Sequence, residues 1–388
     1  MATSPTLGSV PAVSFRPSRR TKTIPPSLFP DPRDSQPARA DVSTPPPDSI
    51  RGGDPPTQFS GIARLAASSP LLGEKRDTEY YLLPVKSILN RCSSDRVPFT
   101  WTVNPYRGCE FGCRYCYARY THEFMELDGA DFERKIYVKQ NTGGLARREL
   151  ATENVLGEHI AIGTATDPYQ PAEKEFGATR AFLEQAAELE GLSLSITTKS
   201  NQVVRDIDLL QRIAARSSLS VNITITTLRT RLARLLEPRA PRPDLRLAAV
   251  KALREAGLNA GVFAMPVLPG LTDREEDLDA LARAARDAGA QWFAGSVVFL
   301  MPSAQKAFFP FLQEKFPKLA RGYRQWYSRS GYAPDSYRKE ISQRIEGLRK
   351  KYGLRNRPYS PEGAARQSAQ LSLALVQTQV PCGQAVRA

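Results

Sequence analysis

Histidine is scarce in this chain, whose 388 residues hold only His122 and His159. With two imidazole bases, no G-x-S-x-G elbow and no P-loop run, serine hydrolysis and phosphate-loop chemistry are disfavoured. Long apolar runs are missing too. The longest, 261–268 and 295–301, fall far short of a bilayer span, so no transmembrane segment and no membrane partner are expected. Cysteine is sparse, at five residues. No positively charged leader followed by an apolar segment precedes them, which argues against a secreted disulfide framework and for a cytoplasmic protein whose thiols are free or metal-bound. What the chain does have is an ordinary globular balance of 41% hydrophobic and 24% charged residues, together with 31 prolines and a formal charge of +14.

Proline and charge are unevenly placed. Thirteen of the prolines fall in residues 1–60, where apolar residues are few and no helical or strand period persists. That segment predicts disorder. Its first thirty residues lack acids and are rich in Ser, Thr and Arg, as in a transit peptide or a plain disordered extension. The small polar residues of 360–388 predict a second disordered tail. The charge excess is concentrated in residues 301–359, which carry 14 basic and 4 acidic groups and 11 of the 33 aromatics. Basic groups interleaved with Phe308, Phe309, Phe311, Tyr323, Trp326, Tyr327, Tyr332 and Tyr337 admit two readings. One is nucleic-acid contact through 301–359. The other is a helical extension that packs its aromatics inward, with Tyr337, Ile341, Ile345, Leu348 and Tyr352 on one face at helical spacing.

Between these segments the pattern alternates. Apolar, β-branched runs at 99–103, 159–166, 192–199, 219–226, 259–268 and 291–300 predict strands. Helical periods follow the cysteines and recur at 176–190, 203–216, 229–236 with 244–256, and 274–288. Six β/α units predict an α/β fold, a parallel sheet that opens or curls into a partial barrel over 75–300, followed by the extension 301–359. Polar residues gather at the carboxyl ends of the strands, where a parallel barrel places its active site: Thr164, Thr166 and Asp167, then Thr197, Thr198 and Lys199, then Thr224 and Thr226.

Three of the five cysteines, Cys109, Cys113 and Cys116, fall within eight residues just after the first predicted strand. Thiolates on a short glycine-containing loop can hold an iron–sulfur cluster or zinc. Structural zinc needs a fourth ligand, and the only nearby candidate is His122, at a probable helix start. Three cysteines without a fourth suit a four-iron cluster with one iron open to a small ligand. The remaining Cys92 and Cys382 read as free, unreactive thiols.

The cysteine spacing, with Tyr115 before the last cysteine, resembles the signature of the radical S-adenosylmethionine (radical SAM) enzymes. The stretches NPYRGCEFGCRYCYARYTHEF, GTATDPYQPAE, SITTKS and LEPRAPRPDLRLAAVKALREAG are similar to the spore photoproduct lyase branch, over roughly residues 80–300. The resemblance implies a radical SAM-type partial (β/α)6 TIM-like barrel, a 4Fe-4S cluster on Cys109, Cys113 and Cys116, and S-adenosylmethionine chelated to the fourth iron. An electron donor such as flavodoxin or ferredoxin would drive cleavage to a 5′-deoxyadenosyl radical that abstracts hydrogen from substrate. Tyr115 then stands beside the adenine, Lys199 meets the methionine carboxylate, Thr226 contacts S-adenosylmethionine, and Thr166 and Asp167 lie in the region that meets the methionine amino group.

The departures from that branch matter as well. Its lyases return a hydrogen atom through a cysteine at the end of the second strand, helped by tyrosines. Here Tyr115 and Tyr117 are kept, but the cysteine position reads Thr164, and a hydroxyl is a poor hydrogen-atom donor. The implied function is a lyase-like radical SAM enzyme acting on an unidentified substrate, without the lesion-repair activity itself. A competing reading is a non-catalytic nucleic-acid-binding protein whose cysteines hold a structural metal.

Overall fold

Residues 61–75, 77–92 and 97–356 are described in the computed structural model of the protein. The segments 1–60 and 360–388, expected to be disordered, and Cys382 lie outside them. In chain order the strands are β1 (Leu71–Lys75), β2 (Thr78–Leu83), β3 (Leu89–Arg91), β4 (Trp101–Val103), β5 (Tyr106–Arg107), β6 (Lys135–Lys139), β7 (His159–Ile162), β8 (Ser193–Thr198), β9 (Ser218–Thr224), β10 (Ala260–Val267) and β11 (Phe293–Val297). The helices are α1 (Gly61–Ala67), α2 (Tyr120–Glu123), α3 (Thr142–Leu150), α4 (Glu173–Phe176), α5 (Ala178–Ala186), α6 (Ile207–Arg216), α7 (Thr230–Leu236), α8 (Pro243–Glu255), α9 (Glu275–Asp287), α10 (Pro302–Lys315), α11 (Pro317–Trp326) and α12 (Asp335–Tyr352). None of the described helices is long and apolar enough to cross a membrane.

The six expected strands are β4, β7, β8, β9, β10 and β11. They run side by side and parallel, with β3 antiparallel on the free edge of β4. Each βα unit forms for an ordinary reason. Strand residues Ile160, Ile162, Leu194, Ile196, Val221, Ile223 and Val262 are fully buried or nearly so, and alternate with Ser195, Ser220 and Asn222 on the other face. The apolar sides of α5, α6, α8 and α9, through Phe182, Leu183, Leu210, Ile213, Val250, Leu253, Leu278 and Leu281, complete the same core. Proline opens α8, α10 and α11, where its missing N–H costs nothing, and Glu275, Glu276 and Asp277 place acids at the positive end of α9. This is the partial barrel expected from the β/α repeat.

Two features differ from the sequence reading. The second strand ends at Ile162, four residues early, because Gly163 turns at φ +88°, where an added Cβ would meet the Thr197 carbonyl oxygen at 2.5 Å. Thr164, Thr166 and Asp167 therefore sit on a loop beyond the strand. A separate four-stranded sheet, in the order β1-β2-β6-β5, draws two strands from before the first barrel strand and two from between the first and second, and is absent from the sequence reading. Its two faces bury Tyr80, Tyr106, Ile136 and Val138 on one side and Leu83 and Tyr137 on the other.

The C-terminal extension packs inward. Phe308, Phe311, Tyr323, Tyr327 and Tyr337 are buried, and Tyr337, Ile341, Ile345 and Leu348 form the buried face of α12. Their hydroxyls reach the barrel: Tyr323 donates to Pro269 O (2.8 Å), Tyr327 to Val298 O (3.0 Å) and Tyr337 to Asp273 (2.7 Å). Arg344, Lys350 and Lys351 pair with Glu340, Glu346 and Asp279. Beyond α12, Arg355 makes a parallel bridge to Trp292, just before β11.

Candidate active site

The cysteine loop leaves β5 through Gly108 (φ +82°), where a Cβ would lie 2.7 Å from Lys135 O and 2.9 Å from Phe132 O. Only glycine fits, so Gly108→Ala is expected to cost about 1–3 kcal/mol, read as a lower urea midpoint. Backbone hydrogen bonds pin the loop to its neighbours: Cys109 N donates to Phe132 O (2.9 Å) and Arg114 N to Leu236 O (2.9 Å). Cys109 is buried, Cys113 and Cys116 are half-buried, and all three share one patch with Phe111, Ala118, Phe132 and Ala240. Burial pushes all three thiols up. Asp167 and the neighbouring thiols add to the effect at Cys109, whereas Lys199 opposes it at Cys113, and Arg119 and Lys199 at Cys116.

The three thiols fit a cluster better than one ion. Structural zinc takes four protein ligands, and this loop supplies three thiols. His122, the candidate fourth ligand, is fully buried in the core and not on a helix surface. Its Nε2 lies 2.9 Å from Lys135 O, its ring packs edge-on against Phe132 and Tyr137, and burial holds its pKa near 4. A neutral core histidine leaves structural zinc without its fourth ligand.

Next to the loop, three predicted residues from separate elements meet around one carboxylate. The Tyr115 hydroxyl lies 3.0 Å from Thr226 Oγ1 and donates to Glu237 Oε1, while Thr226 Oγ1 donates to the same oxygen at 2.7 Å. Lys199 Nζ lies 3.9 Å from Glu237 Oε1 and 5.9 Å from the Tyr115 ring centre. Arg246 reaches Glu237 Oε2 at 2.6 Å, with both side chains 1% exposed. Burial pushes the Glu237 carboxyl up, but Arg246 and Lys199 outweigh it and hold the pKa near 2. Neither Glu237 nor Arg246 was singled out from the sequence. Both lie in the quoted LEPRAPRPDLRL stretch, where an acid ending an apolar helix and followed by proline was the available signal.

The loop after β7 holds the other candidates. Asn104 Nδ2 donates to Thr164 Oγ1 (3.0 Å), and Tyr117 donates its hydroxyl to Thr164 O. Thr166 Oγ1 donates to Gly108 O (2.6 Å), tying this loop to the cysteine loop. Asp167 accepts from Thr198 Oγ1 (2.6 Å) and from the backbone of Lys199 (2.7 Å) and Tyr169 (2.9 Å), so its carboxylate clamps the ends of β7 and β8 together. Cys92, on the β3–β4 connection, is a free thiol apart from the other three.

Three thiols, one buried and two half-buried, at the carboxyl end of a partial parallel barrel beside a cationic and aromatic pocket wall define a metal-cluster enzyme. The chain belongs to the radical SAM superfamily, whose family description it matches over residues 103–282. It is 38% identical over 284 residues to an uncharacterized protein of Mycobacterium tuberculosis (strain ATCC 25618 / H37Rv), covering 72% of this chain and 83% of that one. A Methanocaldococcus jannaschii protein is 33% identical over 175 residues, covering 45% of this chain and 63% of the relative. A spore photoproduct lyase variant solved with bound AdoMet and a dinucleoside spore photoproduct has a similar fold. It superposes with a TM-score of 0.53 at 16% identity, covering 76% of this chain and 85% of that one. The cofactors of the superfamily are a 4Fe-4S cluster and S-adenosylmethionine.

Proposed function

We propose that the protein is a lyase-like radical SAM enzyme acting on an unidentified substrate, with Cys109, Cys113 and Cys116 holding the cluster. Tyr115, Thr166, Asp167, Lys199 and Thr226 form the S-adenosylmethionine site, and Tyr117 and Thr164 face the substrate. When bound, these cofactors supply one-electron cleavage of a sulfonium bond and, from it, hydrogen abstraction. The observation that carries this reading is the convergence of Tyr115, Lys199 and Thr226 beside the three thiols.

Each residue has a stated task. Lys199 supplies a positive charge for a carboxylate, and Glu237 fixes its direction together with the Tyr115 hydroxyl. Phe111, Phe132 and Ala240 around the thiols exclude water. The hydrogen bonds from Asn104 and Tyr117 to Thr164 hold the substrate-facing loop in place. Anaerobically reconstituted protein is expected to bind about four irons and release 5′-deoxyadenosine on reduction. A colourless protein that takes up zinc alone overturns the assignment. A cytoplasmic location belongs to the same reading, since five cysteines in 388 residues, three of them given to the cluster, leave no disulfide framework of the secreted kind.

The electron-donor partner has a surface to meet. A groove of about 510 Å³ beside the cysteine loop is lined by Arg114, Arg234 and Lys315 around Leu235, Pro310 and Phe311, with one acid, Glu314, paired to Lys315 at 2.7 Å. Its cationic rim and apolar floor suit an acidic flavodoxin or ferredoxin. Arg234→Glu combined with Lys315→Glu is expected to slow turnover driven by reduced flavodoxin about tenfold while leaving dithionite-driven turnover unchanged. Equal rates with both reductants would move the donor elsewhere. Nucleic-acid contact through 301–359 rests on exposed basic side chains such as Lys318, Arg324 and Lys339, because most of the segment's aromatics are either in the core or packed against it.

A further inference from the structure

The second sheet carries two basic side chains that the cofactor site does not use, a buried lysine and a half-buried arginine. Arg107 in β5 pairs with Tyr137 in β6, so Arg107, Tyr137 and, two residues on, Lys139 share one sheet face. Lys139 N donates to Pro105 O (3.1 Å), which continues the pairing to the end of the strand. Lys139 is 5% exposed, and the Arg107 Nε is buried without a partner. Among the described residues neither side chain makes an ion pair or a hydrogen bond. The two cations lie close enough to act on each other: burial first, and Arg107 second, pull the Lys139 ammonium down to about 7. Glu149 is the carboxylate that acts on Lys139, but its Oε2 is taken up by Ser87 Oγ (2.9 Å) and the backbone of Ile88 (3.1 Å) and Leu89 (3.0 Å). A buried lysine beside a half-buried guanidinium, with no carboxylate paired to either among the described residues, is a place that favours an anion.

The position of the pair says whose anion it is. Arg107 acts electrostatically on Tyr120, whose ring stacks on Tyr117 at 6.4 Å. Tyr117 is 39% exposed and packs 6.5 Å from Phe299, which contacts Tyr332 at 4.5 Å. Asn104, three residues before Arg107, holds Thr164. Through Tyr120 on one side and Asn104 on the other, Arg107 is thus connected to Tyr117 and Thr164, the residues that face the substrate in the reading above. We propose that Arg107 and Lys139 form an oxyanion subsite that binds a phosphate or carboxylate of the substrate. A planar guanidinium beside an ammonium recognises either group through charge-assisted hydrogen bonds. The assignment of the subsite to substrate rests on the reading of Tyr117 and Thr164 given above.

The test is anion binding by anaerobic holoenzyme without reductant. Inorganic phosphate and acetate are titrated separately at constant ionic strength against chloride, followed by calorimetry and thermal midpoint. Saturable binding of one or both is expected, weakened at least about tenfold in Lys139→Met and Arg107→Gln and unchanged in Lys339→Gln. Preference for phosphate identifies a phosphorylated substrate, and preference for acetate a carboxylate. Without anion, Lys139→Met should melt no lower than wild type, because it removes a buried unpaired charge. Lys139→Arg should restore binding. Absence of saturable binding, or wild-type binding by both Lys139→Met and Arg107→Gln, overturns the subsite. Iron content and S-adenosylmethionine cleavage, measured on the same preparations, report separately on the enzyme reading.

Discussion

Cys113→Ala is expected to give a folded protein that holds no four-iron cluster and releases no 5′-deoxyadenosine. The loop does not depend on metal for its shape, because it is pinned by Cys109 N to Phe132 O and Arg114 N to Leu236 O. Cys113 only borders the apolar core formed by Ile160, Ile196 and Val221, packing against it without being buried in it. Removing one half-buried thiol should therefore cost no more than about 1–2 kcal/mol, whereas a domain organised by structural zinc loses its fold with its ligand. Circular dichroism, iron analysis and product chromatography on the same sample separate the two. An unfolded variant, from a wild type that carries zinc, would sink the cluster assignment.

Glu237→Ala should be the most destabilising single change in the site, by about 3–5 kcal/mol, because it strands a buried charge. Arg246 is 1% exposed, and its other contacts are the carbonyl oxygens of Thr224 and Pro241. Glu237→Gln keeps acceptors for Tyr115 and Thr226 but loses the ion pair, so a smaller drop in the urea midpoint is expected, together with weaker S-adenosylmethionine binding through a misplaced Lys199. The sign of the pH dependence follows. The folded pKa of Glu237 is near 2, below its ordinary 4.5, so its contribution is complete above 4.5 and is lost as pH falls toward 2. Glu237→Gln should lack that component of the acid dependence. Wild-type midpoints in both variants would remove Glu237 from the centre of the site.

Much of the site was readable from residue order because its parts are local. Cys109, Cys113 and Cys116 lie within one loop, and Thr164, Lys199 and Thr226 each follow an apolar run whose end is visible as a run of polar residues. Glu237 was not readable in this way. Its partners Tyr115 and Lys199 come from distant segments, Arg246 lies in the same stretch but across a proline-rich turn, and an acid after an apolar helix ordinarily faces water. The second sheet was hidden for a related reason, since β2 and β6 pair in parallel across more than fifty residues and neither alternates cleanly in burial. In 301–359 the side-chain types admitted two fates, and helical spacing on α12 was the cue to burial.

A sheet that curls without closing is left with two rims, each a template for pairing with another chain. This protein covers both. Antiparallel β3 occupies the β4 rim, and at the other the backbone of Arg355 bonds with Gln291 and Phe293 at 3.0 Å each, leading into β11. Aggregation is thereby discouraged at both rims without joining them. The nearest thing to a link is made by side chains, since the Tyr117 ring just after the cysteines meets the Phe299 ring just after β11 at 6.5 Å, a contact that can rotate where a ladder of backbone hydrogen bonds cannot.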